Sequence, residues 1–200
     1  IFAVRTDTSV VTSIASRVVP GFSSLKFLGE TKTGDVAYCE CSEEGGEGIS
    51  GTLFVWRRAS GRTETLREFR VRSLQVLPGT NTLLIVEAGA GGDAAALRTL
   101  DLGTRKERAL WQYPSKNEWG YFSINPFSRE ALAVSNSGAY VVSLADGATT
   151  FEMRWKGIRP DIYAVGYPLV TVQGEHFKGL TQDNGSLYMV TLRDDGFHKT

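Results

Sequence analysis

An all-β fold is predicted by three observations. Short β-favouring runs alternate with turns rich in Gly, Pro, Asn and Asp, and 22 of the 200 residues are glycine. One pattern, a run, a polar turn and a second run, recurs at 1–15, 52–69, 96–113, 139–155 and 186–200. Its anchors are Phe2, Leu53, Leu97, Tyr140 and Leu187, about 45 residues apart, which is the length of a blade of four short strands. Finally, no segment longer than about ten residues carries a 3.6-residue apolar period. The expected architecture is a β-propeller of four-stranded antiparallel blades: four full blades plus a half blade.

In chain order, residues 1–15 form the half blade, an outer hairpin alone. The first full blade, about 22–70, opens with the hairpin 24–28 and 36–41, turned at Thr33-Gly34-Asp35. The second, about 71–114, pairs 73–77 with 82–88 around Pro78-Gly79-Thr80-Asn81. Its run Leu83-Leu84-Ile85-Val86 is apolar at every position, as expected of an inner strand covered on both faces. Residues 94–100 carry a weak helical pattern, but their place in the repeat assigns them to a strand. The third blade, about 119–156, pairs 121–125 with 131–135. The fourth, about 161–200, is expected to pair 162–166 with 169–173 and then 186–200 with itself, leaving 175–184 as the longest loop. Its end, Asp183-Asn184-Gly185, is hairpin-turn chemistry, and Asn184-Gly185-Ser186 also fits a glycosylation sequon. The second half of each unit is more polar and alternating, with Val141-Val142-Ser143-Leu144-Ala145-Asp146-Gly147 the clearest case. There, as in Leu100-Asp101-Leu102-Gly103-Thr104 and Thr191-Leu192-Arg193-Asp194-Asp195-Gly196, Asp and Gly supply a positive-φ turn.

Phe122-Ser123-Ile124-Asn125-Pro126, Ala131-Leu132-Ala133-Val134-Ser135 and Tyr140 through Gly147 together resemble the WD40-like and TolB-like β-propeller repeat. In that repeat a strand ends near Ser-Pro, and a later one ends in Asp-Leu-x-x-Gly. The resemblance extends over nearly the whole chain as a pattern, without the Gly-His and Trp-Asp dipeptides of WD40 repeats. Four blades and a remainder imply either a compact four- or five-bladed disc whose seam the N-terminal hairpin plugs, or a piece of a six- to eight-bladed ring whose remainder lies in another chain or was cut away. The second is favoured because both termini fall inside β pattern.

Composition narrows the function. Hydrophobic residues are 42% and charged ones 22%, enough for a packed core. Lys plus Arg and Asp plus Glu are both 22, which argues against a nucleic-acid binder held by bulk charge. No run of 18 apolar residues exists to span a membrane. Cys39 and Cys41 lie on one face of a strand, too near in sequence for an unstrained disulfide, and read as two half-buried thiols. No catalytic, metal or cofactor residues are assigned. Gly-x-Ser-x-Gly is absent, and His176 and His198 are too scattered for a triad or zinc site. The loop Gly89-Ala90-Gly91-Gly92-Asp93 lacks the Gly-Lys-Ser/Thr of a phosphate loop.

A binding role fits better. In propellers the connectors between blades share a face with the loops joining second to third strands, and that face carries partners. Two connectors here are rich in aromatic and basic residues: one holds Trp111, Tyr113, Lys116 and Trp119, the other Trp155, Lys156 and Arg159. Trp and Arg dominate interface hot spots. The expectation is a non-catalytic scaffold binding a protein or peptide through these residues, with Trp111, Trp119 and Trp155 as wedges between blades the competing reading. Alternatives are the propeller portion of a larger enzyme, such as a prolyl-oligopeptidase-like hydrolase, or a small-molecule or sugar site in the central channel.

Overall fold

The computed structural model describes residues 2–5, 10–14, 24–43, 48–89, 94–116, 118, 120–125, 129–154, 175–183 and 186–200. Among them are seventeen strands, β1 (Phe2–Arg5), β2 (Val10–Ser13), β3 (Ser24–Glu30), β4 (Val36–Glu43), β5 (Ile49–Arg57), β6 (Arg62–Val71), β7 (Ser73–Val76), β8 (Thr82–Ala88), β9 (Ala94–Asp101), β10 (Glu107–Gln112), β11 (Gly120–Asn125), β12 (Glu130–Ser135), β13 (Gly138–Ser143), β14 (Thr149–Arg154), β15 (Glu175–Asp183), β16 (Ser186–Arg193) and β17 (Gly196–Lys199). They fall into two compact units, 1–92 with 98–108, and 93–97 with 109–200.

In the first unit, β3-β4-β5-β6 form a four-stranded antiparallel sheet. The β7–β8 hairpin begins the next sheet, with β9 beside β8 and β10 beside β9. The core lies between the two sheets. Ala37, Cys39 and Cys41 of β4, Leu53 and Val55 of β5, and Phe69 and Val71 of β6 meet Leu74 and Val76 of β7 and Leu83 and Ile85 of β8. The apolar run in β8 is buried at all four positions, as expected. β3 runs beside β7, and a Cβ on Gly29 (φ +141°) would come within 2.7 Å of the Val76 Cβ, so only glycine permits this approach. The opposite face of β4 and β5 packs Val36, Tyr38, Phe54 and Trp56 against Ile14, just beyond β2.

Cys39 and Cys41 are free and fully buried rather than half-buried. Burial, reinforced by the neighbouring Cys41 thiol, pushes the Cys39 thiol up to about 12. Both cysteines should therefore resist alkylation at pH 8 in the native protein and label only as fast as the first unit opens, which mass spectrometry across a denaturant series would report.

In the second unit, β11-β12-β13-β14 form a four-stranded antiparallel sheet, and Ala94 of β9 bridges Gly120 of β11. Leu132, Val134, Ala139 and Val141 pack with Leu192 of β16, flanked by Phe151, Met153 and Phe197. Residues 138–142 are buried without a break, and of the run 141–147 expected to be polar and alternating, Val141, Val142 and Leu144 are buried while Ala145 and Asp146 are exposed. A further sheet, of three strands, is β15-β16-β17. Residues 175–183 are thus a strand, not a loop, paired with β16 across the Asp183–Ser186 turn. The expected strands 162–166 and 169–173 lie outside the described residues.

Three sheets share one fastening. Just past the third strand, a backbone N–H donates to the turn between the first two strands of the same sheet. Arg58 N donates to Asp35 Oδ1 at 3.0 Å, Leu102 N to Asn81 O at 2.8 Å, and Leu144 N to Arg129 O at 2.8 Å. Each third-to-fourth-strand turn also closes with an i to i+4 backbone bond: Gly61 N to Arg57 O, Arg105 N to Asp101 O, and Gly147 N to Ser143 O. The closing residue is left-handed each time, at φ 65°, 61° and 84°. Glycine takes that position in two sheets, but in the second it falls to Arg105, because Gly103 sits two residues too early. Asp101 holds this turn by accepting from Gly103 N, Thr104 N and Thr104 Oγ1 at 3.0, 2.6 and 3.0 Å.

A left-handed L-residue costs about 1 kcal/mol. Arg105→Gly removes that strain and gives up only an exposed ion pair to Glu64 at 3.4 Å. Unfolded-chain entropy offsets part of the gain, so a net stabilisation of about 0.5 kcal/mol is expected in denaturant melts.

Candidate functional site

The site begins where β10 ends. Trp111 lies on β10, Tyr113 just beyond it, and the connector runs through Glu118 to β11. The connector folds on itself: Glu118 N donates to Ser115 O at 3.0 Å, and Ser115 N donates to Glu118 Oε2 at 3.3 Å. The Glu118 side chain is 1% exposed. Its other oxygen, Oε1, accepts from Ser135 Oγ at 2.7 Å, from Tyr140 OH at 2.5 Å and from Ser137 Oγ. Arg154 Nη1 completes the set at 3.4 Å, while donating to Ser137 Oγ at 2.9 Å. The rest of the guanidinium is held by Glu152 Oε1 at 2.7 Å, and it lies 5.2 Å from the Tyr140 ring centre.

Ser135 ends β12, Ser137 lies in the β12–β13 turn, Tyr140 is on β13 and Glu152 and Arg154 are on β14, so the connector and the second-to-third-strand turn meet at one end of this sheet. Burial alone would raise the Glu118 carboxyl. The hydroxyls of Ser137, Tyr140 and Ser135 and the Arg154 charge outweigh it and hold the group below its ordinary value. Burial and the Glu118 carboxylate push the Tyr140 phenol up to about 12, which keeps it a neutral donor.

An aromatic cluster underlies this network. Trp111 meets Tyr113 and Phe122 edge-on at 5.1 and 5.7 Å and Tyr140 at 5.4 Å. Tyr113 stacks on Phe122 at 5.4 Å. Both polar tips are satisfied: Trp111 Nε1 donates to Thr149 Oγ1 at 3.0 Å, and Tyr113 OH donates to Val134 O at 3.2 Å.

Of the residues expected from sequence to bind a partner, Tyr113 is buried, Trp111 half-buried and Lys116 exposed. Trp119, Trp155, Lys156 and Arg159 lie outside the described residues, as do residues 44–47 and 90–93. Sequence reasoning missed Glu118, Ser135, Ser137, Tyr140 and Arg154 as a group. No local pattern joins them, since the partners of Glu118 Oε1 stand 17 to 36 residues away.

His176 lies on β15, not in a loop. Its ring stacks on Phe151 at 3.7 Å, and its Nε2 is 2.6 Å from Asp194 Oδ1. His198 Nε2 is 2.7 Å from Asp195 Oδ1, and that interaction lowers the Asp195 carboxyl. Among the described residues, no three His, Cys, Asp or Glu stand where they could hold one metal ion.

No protein-family model matches the chain, and no curated protein matches it. Among solved structures it is similar to the β-propeller domain of the Trilobed protease from Pyrococcus furiosus: TM-score 0.51, 12% identity, covering 92% of this chain and 58% of that one. TolB from Acinetobacter baumannii aligns at TM-score 0.48 and 14% identity, covering 99% of this chain and 47% of that one. An auxiliary nutrient binding protein from Bacteroides thetaiotaomicron aligns at 0.49 and 13%, covering 99% and 51%. The chain spans about half the length of these three structures. With its four-stranded antiparallel sheets, the likeness to the Pyrococcus domain shows an all-β fold of the β-propeller kind.

Proposed function

We propose that the chain is a non-catalytic portion of a β-propeller, larger than this chain, whose inter-blade connectors bind a protein or peptide partner. On this reading the four blades are those expected from the repeat. The observation that supports it is the clamped connector. A fully buried carboxylate with five donors ties Ser115 to Glu118 and anchors both to the sheet, with Lys116 exposed between them. A connector that only joined two strands would need no such network. A binding loop fixed beforehand loses less entropy when it engages a partner.

Photo-cross-linking tests this. A cross-linker placed at Lys116 should give a discrete adduct, and the same group at Asp146, in the β13–β14 turn at the other end of the sheet, should not. With the partner in hand, Lys116→Ala combined with Trp119→Ala should weaken binding by at least about 2 kcal/mol with an unchanged melt. Equal adducts from both positions would overturn the reading, and so would unaltered affinity.

A further inference from the structure

The chain is neutral overall, but its charge is not evenly spread. Residues 57–72 hold six arginines against two glutamates, and 98–108 hold three arginines and a lysine against Asp101 and Glu107. All of these lie in the first unit, at the end of β5, on β6, β9 and β10 and in the turns beside them. Arg58, Arg62, Arg70, Arg72, Arg105, Lys106 and Arg108 are exposed. The two stretches are drawn together by an Arg67–Glu107 ion pair and by Arg105 Nη2 to Glu64 Oε2 at 3.4 Å. Arg98 Nε lies 2.7 Å from Glu107 Oε1, out of line for a hydrogen bond. Glu64 and Glu107 are thus engaged in pairs inside the two stretches, in which basic residues outnumber acidic ones ten to four.

β6 is also the last strand of its sheet. One side of its backbone pairs with β5, and among the described residues no strand pairs with the other. It is ten residues long, with Phe69 and Val71 in the core and Arg62, Thr63, Thr65, Glu68 and Arg70 exposed. An open edge of that length is a template for another strand. Its arginines discourage a second copy of itself, since like charges opposite each other are destabilising. They favour a strand of opposite sign.

We infer that the outer edge of β6 accepts an acidic, extended peptide segment as a fifth strand. Main-chain hydrogen bonds supply the pairing, and the arginine strip supplies the selectivity. A polypeptide fits better than a nucleic acid. A single strand of nucleic acid wants aromatic stacking platforms, and the large exposed apolar residue among those described is Phe27, on β3 at the far side of the sheet.

The test uses the full chain and a labelled ten-residue peptide alternating Glu and Val, read by fluorescence anisotropy. Binding is expected, and about 0.5 M salt should weaken it. Methylating alternate peptide amides, which removes strand pairing but not charge, should weaken it at least about tenfold. Arg62→Glu with Arg70→Glu should do the same, and the milder Arg70→Gln should give a partial loss in a protein whose melt is unchanged. Lys116→Glu should leave it untouched, which separates this edge from the connector face. The inference fails if the peptide does not bind, if the methylated peptide binds equally well, or if a ten-nucleotide oligothymidylate binds as tightly.

Discussion

Glu118→Ala is expected to destabilise the second unit by about 3 kcal/mol. The substitution strands the hydroxyls of Ser135, Ser137 and Tyr140, and an unpartnered buried donor costs about 1–3 kcal/mol. Ser135 Oγ can still turn to Gly138 O at 3.2 Å, and Arg154 is half exposed, so the losses do not simply add. Glu118→Gln should cost less, about 1 kcal/mol. Its amide oxygen can replace Oε1, but its NH2 then faces Ser115 N, donor against donor. The wild type and Glu118→Gln should also differ in acid. Because the folded carboxyl is held below its ordinary value, its stabilisation is complete above the unfolded pKa and is lost as pH falls through the folded one. Denaturant melts on the acid side of the ordinary glutamate range should show the wild type losing stability more steeply than Glu118→Gln. Parallel slopes would mean that the carboxylate is not the group holding the connector.

Gly147→Val should cost at least about 3 kcal/mol, combining left-handed strain at a β-branched residue with a backbone clash. At φ +84° a Cβ would sit 2.0 Å from Leu110 O, and a main-chain oxygen has little room to yield. A fall of roughly 10 °C in the melting temperature is expected. Gly147→Ala meets the same atom and should be nearly as damaging. A mild effect would place Leu110 elsewhere.

What sequence reasoning reads well here is whatever is written locally. The β8 run and the turns at Thr33-Gly34-Asp35 and Asp183-Asn184-Gly185 each announce a hairpin within a few residues. β15 was missable because Glu175-His176-Phe177-Lys178 has no clean alternation, yet the turn that follows carried the missing information. A hairpin turn leading into the eight-residue β16 implies a strand of similar length before it. The run 141–147 looks alternating only if one face is assumed wet, and packing of Leu192 with Ala139 and Val141 removes the start of that face from water. The Glu118 network was not legible at all. Its donors are serines, a tyrosine and an arginine of ordinary kind, made significant only by sheet register.

The turn fastening carries a consequence for how this chain tolerates change. In two of three sheets it joins main chain to main chain, so it measures distance along the backbone and is indifferent to side-chain identity. Substitution of exposed Ala145 should therefore be nearly silent, whereas changing Asp146 gives up its bond from Ala148 N at 3.0 Å, and deleting either residue would shift Gly147 out of reach of Ser143 O. A fold secured by spacing can drift far in composition while keeping its outline, in keeping with a likeness at only 12% identity.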